Sequence, residues 1–246
     1  MSNTPEIHIQ PDAEAVAVAA AAFITERIVK TLEKQERFTI ALSGGSTPRR
    51  LHYLLSHPPY KDQIDWDRLH IFWGDERYVP LDDERNNARM AYDTLLNYVS
   101  VPDEQVHIMK TDLPDPGESA LQYDSILHRY FGKSENSFDL LLLGMGDDGH
   151  TLSLFPGTEV VHETRKWCTS FFLEQQDMFR ITLTKSIANR SACVLFLTTG
   201  KGKANALQHV LNGPTNINLY PAQTIQPENG ETHWIIDTAA ASLLPK

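Results

Sequence analysis

Asp148-Gly149-His150 is the stretch of this sequence best suited to chemistry. A histidine titrates near neutral pH, so it can take a proton from water, and a nearby carboxylate can orient the ring and stabilise its imidazolium form. His150 is therefore a candidate general base and Asp148 its support. Proximity in sequence does not establish a hydrogen bond, and among ten histidines a surface or core position is the commoner one. The pair lies in GMGDDGHTLSLFPG, residues 144–157, where Gly144, Gly146 and Gly149 match the G-x-G-x-x-G spacing of a dinucleotide-binding turn. Asp147 and Asp148 would set negative charge against a pyrophosphate, and Pro156 leaves little room for the long crossover helix that normally follows. Acid–base chemistry is the better reading.

Other short stretches carry polar chemistry of a different kind. Ser43-Gly44-Gly45-Ser46-Thr47-Pro48 offers flexible backbone, three hydroxyls and a proline suited to a helix's first turn. Free N–H groups at such a helix start attract a phosphate or a sugar oxygen, although the same residues also make an ordinary capped turn. The segment lacks the G-x-x-x-x-G-K-[ST] pattern of a nucleotide P-loop. Asp75, Glu76 and Arg77 form a charged cluster, and Lys201 and Lys203 sit at the start of a predicted helix, where cations oppose the helix dipole. A bound phosphate would offset that cost through charge-assisted hydrogen bonds. Solvated surface charge is the plain alternative for each lysine, and Arg77 could equally pair with Asp75 or Glu76.

These residues must be positioned by a scaffold, and hydrophobic patterning outlines one. Ala20, Ile24, Ile28 and Leu32 recur at helical spacing within 13–36, and Leu51, Leu54 and Leu55 line one face of a second helix. Residues 38–45 and 68–76 read as strands that run into the Ser43 loop and the Asp75 cluster. FDLLLLGMG at 138–146 is a continuous apolar run, as expected of a strand buried on both faces. Tyr92, Leu95, Leu96 and Val99 have helical offsets, 180–184 and 192–200 read as strands, 203–211 as a helix and 233–237 as a last strand. Residues 100–120 and 213–230 read as loops. Alternating strands and helices imply a mostly parallel α/β sheet, whose ligands bind outside the C-terminal ends of the strands. The four polar loops all follow such ends and are expected to share one pocket.

Composition narrows the function. The 246 residues are 41% hydrophobic, enough for a sizeable core, and no interdomain linker is visible, so 1–246 is expected to form one α/β domain. A formal net charge of -10 argues against nucleic acid or an anionic membrane as partner. The alanine-rich run at 15–24 is too short to span a bilayer and is preceded by acidic Glu6, Asp12 and Glu14, unlike an export signal. Only Cys168 and Cys193 are present, without a C-x-x-C pair, and no H-E-x-x-H or His/Cys cluster has metal-ligand spacing. A cytoplasmic protein, monomeric or weakly homo-oligomeric and without metal, is expected.

Taken together, LSGGSTP at 42–48, FWGDERYVPLDDERNNARMAYDTLL at 72–96, FDLLLLGMGDDGHTLSLFPGT at 138–158 and RITLT with TTGKGKA near the end resemble the 6-phosphogluconolactonase family. The resemblance covers nearly the whole chain in order, and the D-G-H-T-x-S-L-F-P-G block is highly specific. It implies a doubly wound α/β fold with helices on both faces of the sheet, hydrolysis of 6-phospho-D-glucono-1,5-lactone to 6-phospho-D-gluconate in the oxidative pentose phosphate pathway, and no metal or organic cofactor. By motif, His150 would be the base supported by Asp148. Lys203 and Arg77 would handle the phosphate or organise its site, with Ser43, Gly44, Gly45, Ser46, Thr47 and Asp75 lining the substrate pocket. Two departures concern pocket shape: Leu152 replaces a commoner alanine, and Asn86 stands where serine often precedes Asn87. The glucosamine-6-phosphate deaminases share the S-G-G-S-T-P and G-x-D-G-H loops but typically continue into I-A-F-N-E-P and carry D-E-Y, unlike Thr151–Pro156 and Asp75-Glu76-Arg77 here. A non-catalytic sugar-phosphate sensor is the alternative from another class.

Overall fold

The structure is a computed structural model that describes residues 4–245. In chain order it contains β1 (Glu6–Gln10), α1 (Ala13–Leu32), β2 (Phe38–Leu42), α2 (Ser46–Leu55), β3 (Leu69–Trp73), β4 (Asp75–Arg77), α3 (Asn87–Thr94), α4 (Pro116–Phe131), β5 (Leu140–Gly144), β6 (Cys168–Leu173), β7 (Met178–Leu183), α5 (Lys185–Ala188), β8 (Cys193–Thr198), α6 (Ala204–Asn212) and β9 (Glu231–Asp237). Six strands make a parallel sheet in the order β1-β9-β8-β5-β2-β3.

Period-two alternation explains why its central strands are apolar throughout. Phe38, Ile40 and Leu42 of β2, Leu140 and Leu142 of β5, and Cys193, Leu195 and Leu197 of β8 face one layer; Ala41, Leu141, Leu143, Val194 and Phe196 face the other. The first layer holds α1, α2 and α3, where Val16, Ala20, Ile24 and Ile28 put a small-and-branched stripe at i, i+4 spacing against the strands. The second holds α4 and α6 with Tyr123, Leu127, Phe131 and Leu207. Helices on both faces make the sheet doubly wound.

The chain departs from simple alternation at Gly74. The predicted 68–76 strand breaks there: Gly74 N–H still bonds Leu42 C=O at 2.9 Å, but its own C=O accepts from Leu183 N–H at 2.9 Å. Asp75–Arg77 therefore leaves the main sheet as β4 and joins a three-stranded antiparallel sheet, β4-β7-β6, together with the predicted 180–184 strand. Ile181 and Leu183 pack this small sheet against the α4 layer, so both sheets share one core. Residues 100–120 are not all loop, since α4 begins at Pro116 behind the Asp115 cap, whose side chain accepts from Gly117 N–H at 2.9 Å.

β2 leads outward to β3, whereas β5 leads to β8 and β9 on the other side. The adjacent β2 and β5 thus flank the topological switch point, and the loops after them face each other at the C-terminal end of the sheet.

Candidate active site

At that switch point lies a cleft of about 290 Å³. Its floor is the loop after β5. Gly146 N–H donates to His150 C=O at 2.8 Å, and Gly149 N–H to Gly146 C=O at 3.1 Å, closing a tight turn. Asp148 Oδ1 accepts from the His150 backbone N–H at 3.0 Å and from His150 Nδ1 at 2.6 Å. A carboxylate only accepts, so Nδ1 carries the proton and Nε2 of the neutral ring is left as a base. Burial works to raise the Asp148 carboxyl, but the hydrogen bonds from His150 outweigh it and the group sits below the ordinary carboxylate value. Phe155 stacks on the imidazole at 4.1 Å and Thr151 Oγ1 anchors the loop to Gly144 C=O at 2.8 Å. The turn needs glycine at position 146, because a Cβ there would lie 2.1 Å from His150 Nδ1. That close approach, rather than a dinucleotide, accounts for a glycine of the G-x-G-x-x-G pattern.

The loop after β2 forms the facing wall. α2 starts at Ser46 with Gly45 as cap and no side chain bonded to its first turn, so its leading N–H groups open toward the cleft. Gly44 abuts Asn87, whose Oδ1 would lie 1.9 Å from a Cβ at 44. Asn87 in turn donates to Asp75 C=O at 2.9 Å, locking this loop to the start of α3. Thr47 Oγ1 and Thr199 Oγ1, 3.1 Å apart, tie α2 to the end of β8. Lys203, just before α6, enters the cleft and pairs with exposed Asp147 at 2.6 Å.

The small sheet supplies the third wall. Asp75 lines the cleft, but its Oδ2 accepts from Ser153 Oγ at 2.6 Å and from an Arg180 Nη at 3.2 Å, and Arg180 Nε reaches Ser153 Oγ at 2.9 Å. Both charges are over nine-tenths buried, so Asp75 serves first to hold Arg180. Arg77 pairs with neither neighbouring carboxylate. One Nη donates to Arg85 C=O at 2.8 Å, while its Nε is buried without a hydrogen-bond partner among the described residues. Glu76 turns away from the cleft and caps α3, accepting from the backbone N–H groups of Arg77, Asn87 and Ala88 at 2.7–2.8 Å. Burial pushes its carboxyl up to about 7 against the pull of those donors. Asn86 accepts from Arg89 N–H at 3.0 Å, so it performs the N-cap work a serine would perform there. Leu152 takes a left-handed backbone (φ 53°), a strained conformation for a branched side chain lining a cleft.

The structure therefore brings Ser43–Thr47, Asp75, Arg77, His150 and Lys203 to one cleft, with Asp148 bonded to His150 from below. Thr198 and Thr199, at the start of the 198–203 loop expected at the pocket, also line it, and so do Arg180 and Asn87, which the sequence did not single out as site residues. Arg180 had a signal: a charge in an otherwise apolar strand pattern marks a buried ion pair or a site.

A doubly wound α/β scaffold whose switch-point cleft combines a carboxylate-oriented histidine, lysine, arginine and an open helix start has the layout of an enzyme that binds an anionic ligand and moves a proton beside it. Residues 11–234 match the family described as glucosamine-6-phosphate isomerases/6-phosphogluconolactonase, and the chain belongs to it. A 6-phosphogluconolactonase of Synechocystis sp. is 36% identical over 243 residues, covering 98% of each chain. The solved 6-phosphogluconolactonase from Trypanosoma cruzi superposes with a TM-score of 0.87 at 28% identity, over 100% of this chain and 99% of that one. A monomeric glucosamine-6-phosphate deaminase superposes at 0.82 with 19% identity over 97% and 99%, a likeness of fold. No helix among the described residues is long and apolar enough to cross a membrane.

Proposed function

We propose that the chain hydrolyses 6-phospho-D-glucono-1,5-lactone to 6-phospho-D-gluconate, the lactone-opening step of the oxidative pentose phosphate pathway, by direct attack of water activated by His150. The 2.6 Å Asp148–His150 bond beside the cleft carries this reading. Nε2 removes a proton from water as the oxygen adds to the lactone carbonyl carbon. The tetrahedral intermediate then expels the ring oxygen, which takes the proton from the imidazolium, and Asp148 stabilises the cation between the two transfers. The lactone is already an activated ester, so one general base, worth about 10² to 10⁴ in rate, with donors to the oxyanion, suffices.

No covalent nucleophile is invoked. Among the described residues neither the Ser43 nor the Ser46 hydroxyl is hydrogen-bonded to a histidine, and no G-x-S-x-G elbow surrounds them. Lys203, Arg77 and the open N–H groups at the α2 start hold the phosphate, whose charge displaces Asp147 from Lys203. The protein works in the cytoplasm as a monomer or weak homo-oligomer.

The test supplies purified protein separately with freshly generated lactone and with glucosamine 6-phosphate. Lactone opening well above the spontaneous rate, without ammonia release, is expected. Ammonia release without lactone opening would make it a deaminase, and binding of 6-phosphogluconate with lactone opening at the spontaneous rate would make it a sensor.

A further inference from the structure

The N-terminal end of the sheet, opposite the cleft, gathers a second set of ligating side chains. β1 and β9 each carry a Glu-x-His triplet, Glu6-Ile7-His8 and Glu231-Thr232-His233. Residues two apart share one face of a strand, and the parallel register sets Glu6 directly beside His233. Glu6 Oε2 consequently lies 3.8 Å from His8 Nε2 and 3.5 Å from His233 Nδ1, with the two ring nitrogens 3.5 Å apart. These separations are long for hydrogen bonds, whose usual range is about 2.7–3.2 Å. They stand just outside the edges of a coordination triangle: donors at about 2.0–2.1 Å from a tetrahedral ion lie about 3.3–3.4 Å from one another, so an ion would draw the His8–His233 and Glu6–His233 edges in slightly and the 3.8 Å Glu6–His8 edge by about 0.4 Å.

The surroundings are those of an oriented ligand set. His233 directs Nε2 at Glu231 Oε2, 3.1 Å away, which fixes the ring with Nδ1 toward Glu6 and His8. Glu231 is itself paired with Arg27, so the nearby positive charge is already balanced. Two rings flank His233: Phe23 at 4.8 Å between centroids, and His8 stacked on it at 5.7 Å. His233 is buried while Glu6 is exposed, leaving an open side for entry and for a water ligand. A competing grouping of Cys193, Glu231 and His233 shares the imidazole, but its thiol is fully buried, burial pushes that thiol up to about 12, and its Glu231 is already paired with Arg27.

We propose that Glu6 Oε2, His8 Nε2 and His233 Nδ1 form a binding site for a divalent transition-metal ion of the zinc class, with water as fourth ligand, that fastens edge strand β1 to β9. The site lies at the far end of the sheet from His150 and takes no part in lactone opening. Spacing along the chain could not reveal it, because the two histidines are 225 residues apart.

The experiment titrates metal-stripped full-length protein with Zn²⁺ by calorimetry and with Co²⁺ by visible absorption, and compares His8→Ala and Glu6→Gln, both at exposed or half-exposed edge positions. One equivalent of Zn²⁺, the intense visible bands of tetrahedral Co²⁺, a zinc-dependent rise in melting temperature, and loss of affinity by about tenfold or more in either variant are expected. Lactone hydrolysis should be unchanged in both variants. Absence of saturable binding, binding undiminished in His8→Ala, or binding that disappears instead in His150→Ala would each overturn the proposal.

Discussion

Replacing Gly146 by alanine perturbs the proposed base without altering any ionisable group. The added carbon would stand 2.1 Å from His150 Nδ1 and 2.4 Å from both His150 Cε1 and Asp148 Oδ1. Nonbonded contacts to carbon settle at about 3.5 Å, so the ring and the carboxylate must each retreat by about 1 Å, which displaces Nε2 from its present aim even where the 2.6 Å bond between them moves as a unit. Misplacing a catalytic group by about 1 Å costs about 10²-fold, and full loss of general-base catalysis costs about 10² to 10⁴. Gly146→Ala should therefore lower kcat by about 10²- to 10³-fold, or about 3–4 kcal/mol of transition-state stabilisation. A coupled assay reporting 6-phospho-D-gluconate from freshly generated lactone, corrected for spontaneous opening, measures this. Gly144→Ala is the steric control for the dyad alone: it adds the same methyl group to the cleft wall, where a Cβ meets nothing within 4 Å, and leaves the imidazole in place. A Gly146→Ala enzyme that keeps its melting temperature and turns over within about threefold of wild type would refute the assigned role of the dyad.

Further outcomes follow from the same geometry. Arg180→Leu leaves Asp75 buried and unpaired and should cost about 3–5 kcal/mol in urea unfolding, whereas Asp75→Asn combined with Arg180→Leu should recover much of it; a single-variant loss below about 1 kcal/mol would contradict the pairing. Burial drives His52, wholly enclosed on α2, from the ordinary 6.5 down to about 4, with Arg49 repulsion adding to the effect. A group lowered in this way contributes stability that is present above 6.5 and lost as pH falls toward 4, because the unfolded chain takes up the proton first; wild type should lose up to about 3 kcal/mol more than His52→Leu between pH 7.5 and 4. Equal losses would show that another group drives acid unfolding. Lys203→Ala should raise KM with little change in kcat, and a defect confined to kcat would remove it from phosphate binding.

The sequence made the central strands and most of the site readable for a common reason. A strand buried on both faces must be apolar throughout, as 138–146 is, and in a parallel sheet the polar loop after such a strand falls at the ligand-binding edge. What escaped was set by long-range contacts. Nothing local announces that Gly74 ends one strand and hands Asp75 to an antiparallel partner more than a hundred residues on, since that switch lies in hydrogen bonds to Leu42 and Leu183. β1 and β6 leave no clear strand pattern in the sequence because their edge positions expose Ile7, Ile9 and Phe172, which blurs the hydrophobic alternation. Asp75 lines the cleft as the family resemblance implies, but only the fold sets it against Arg180 and Ser153. Pro116 and its Asp115 cap did carry a readable helix-start signal, masked by the proline-rich segment before them.

The central claim is that His150 Nε2 deprotonates the water that opens the lactone. Its most direct test is the rate of freshly generated 6-phospho-D-glucono-1,5-lactone hydrolysis by wild type and His150→Ala, each measured against the spontaneous rate together with 6-phospho-D-gluconate binding. Wild type should far exceed the spontaneous rate, while His150→Ala should lose about 10²-fold or more yet still bind the product. Wild-type turnover in a folded His150→Ala enzyme would contradict the account.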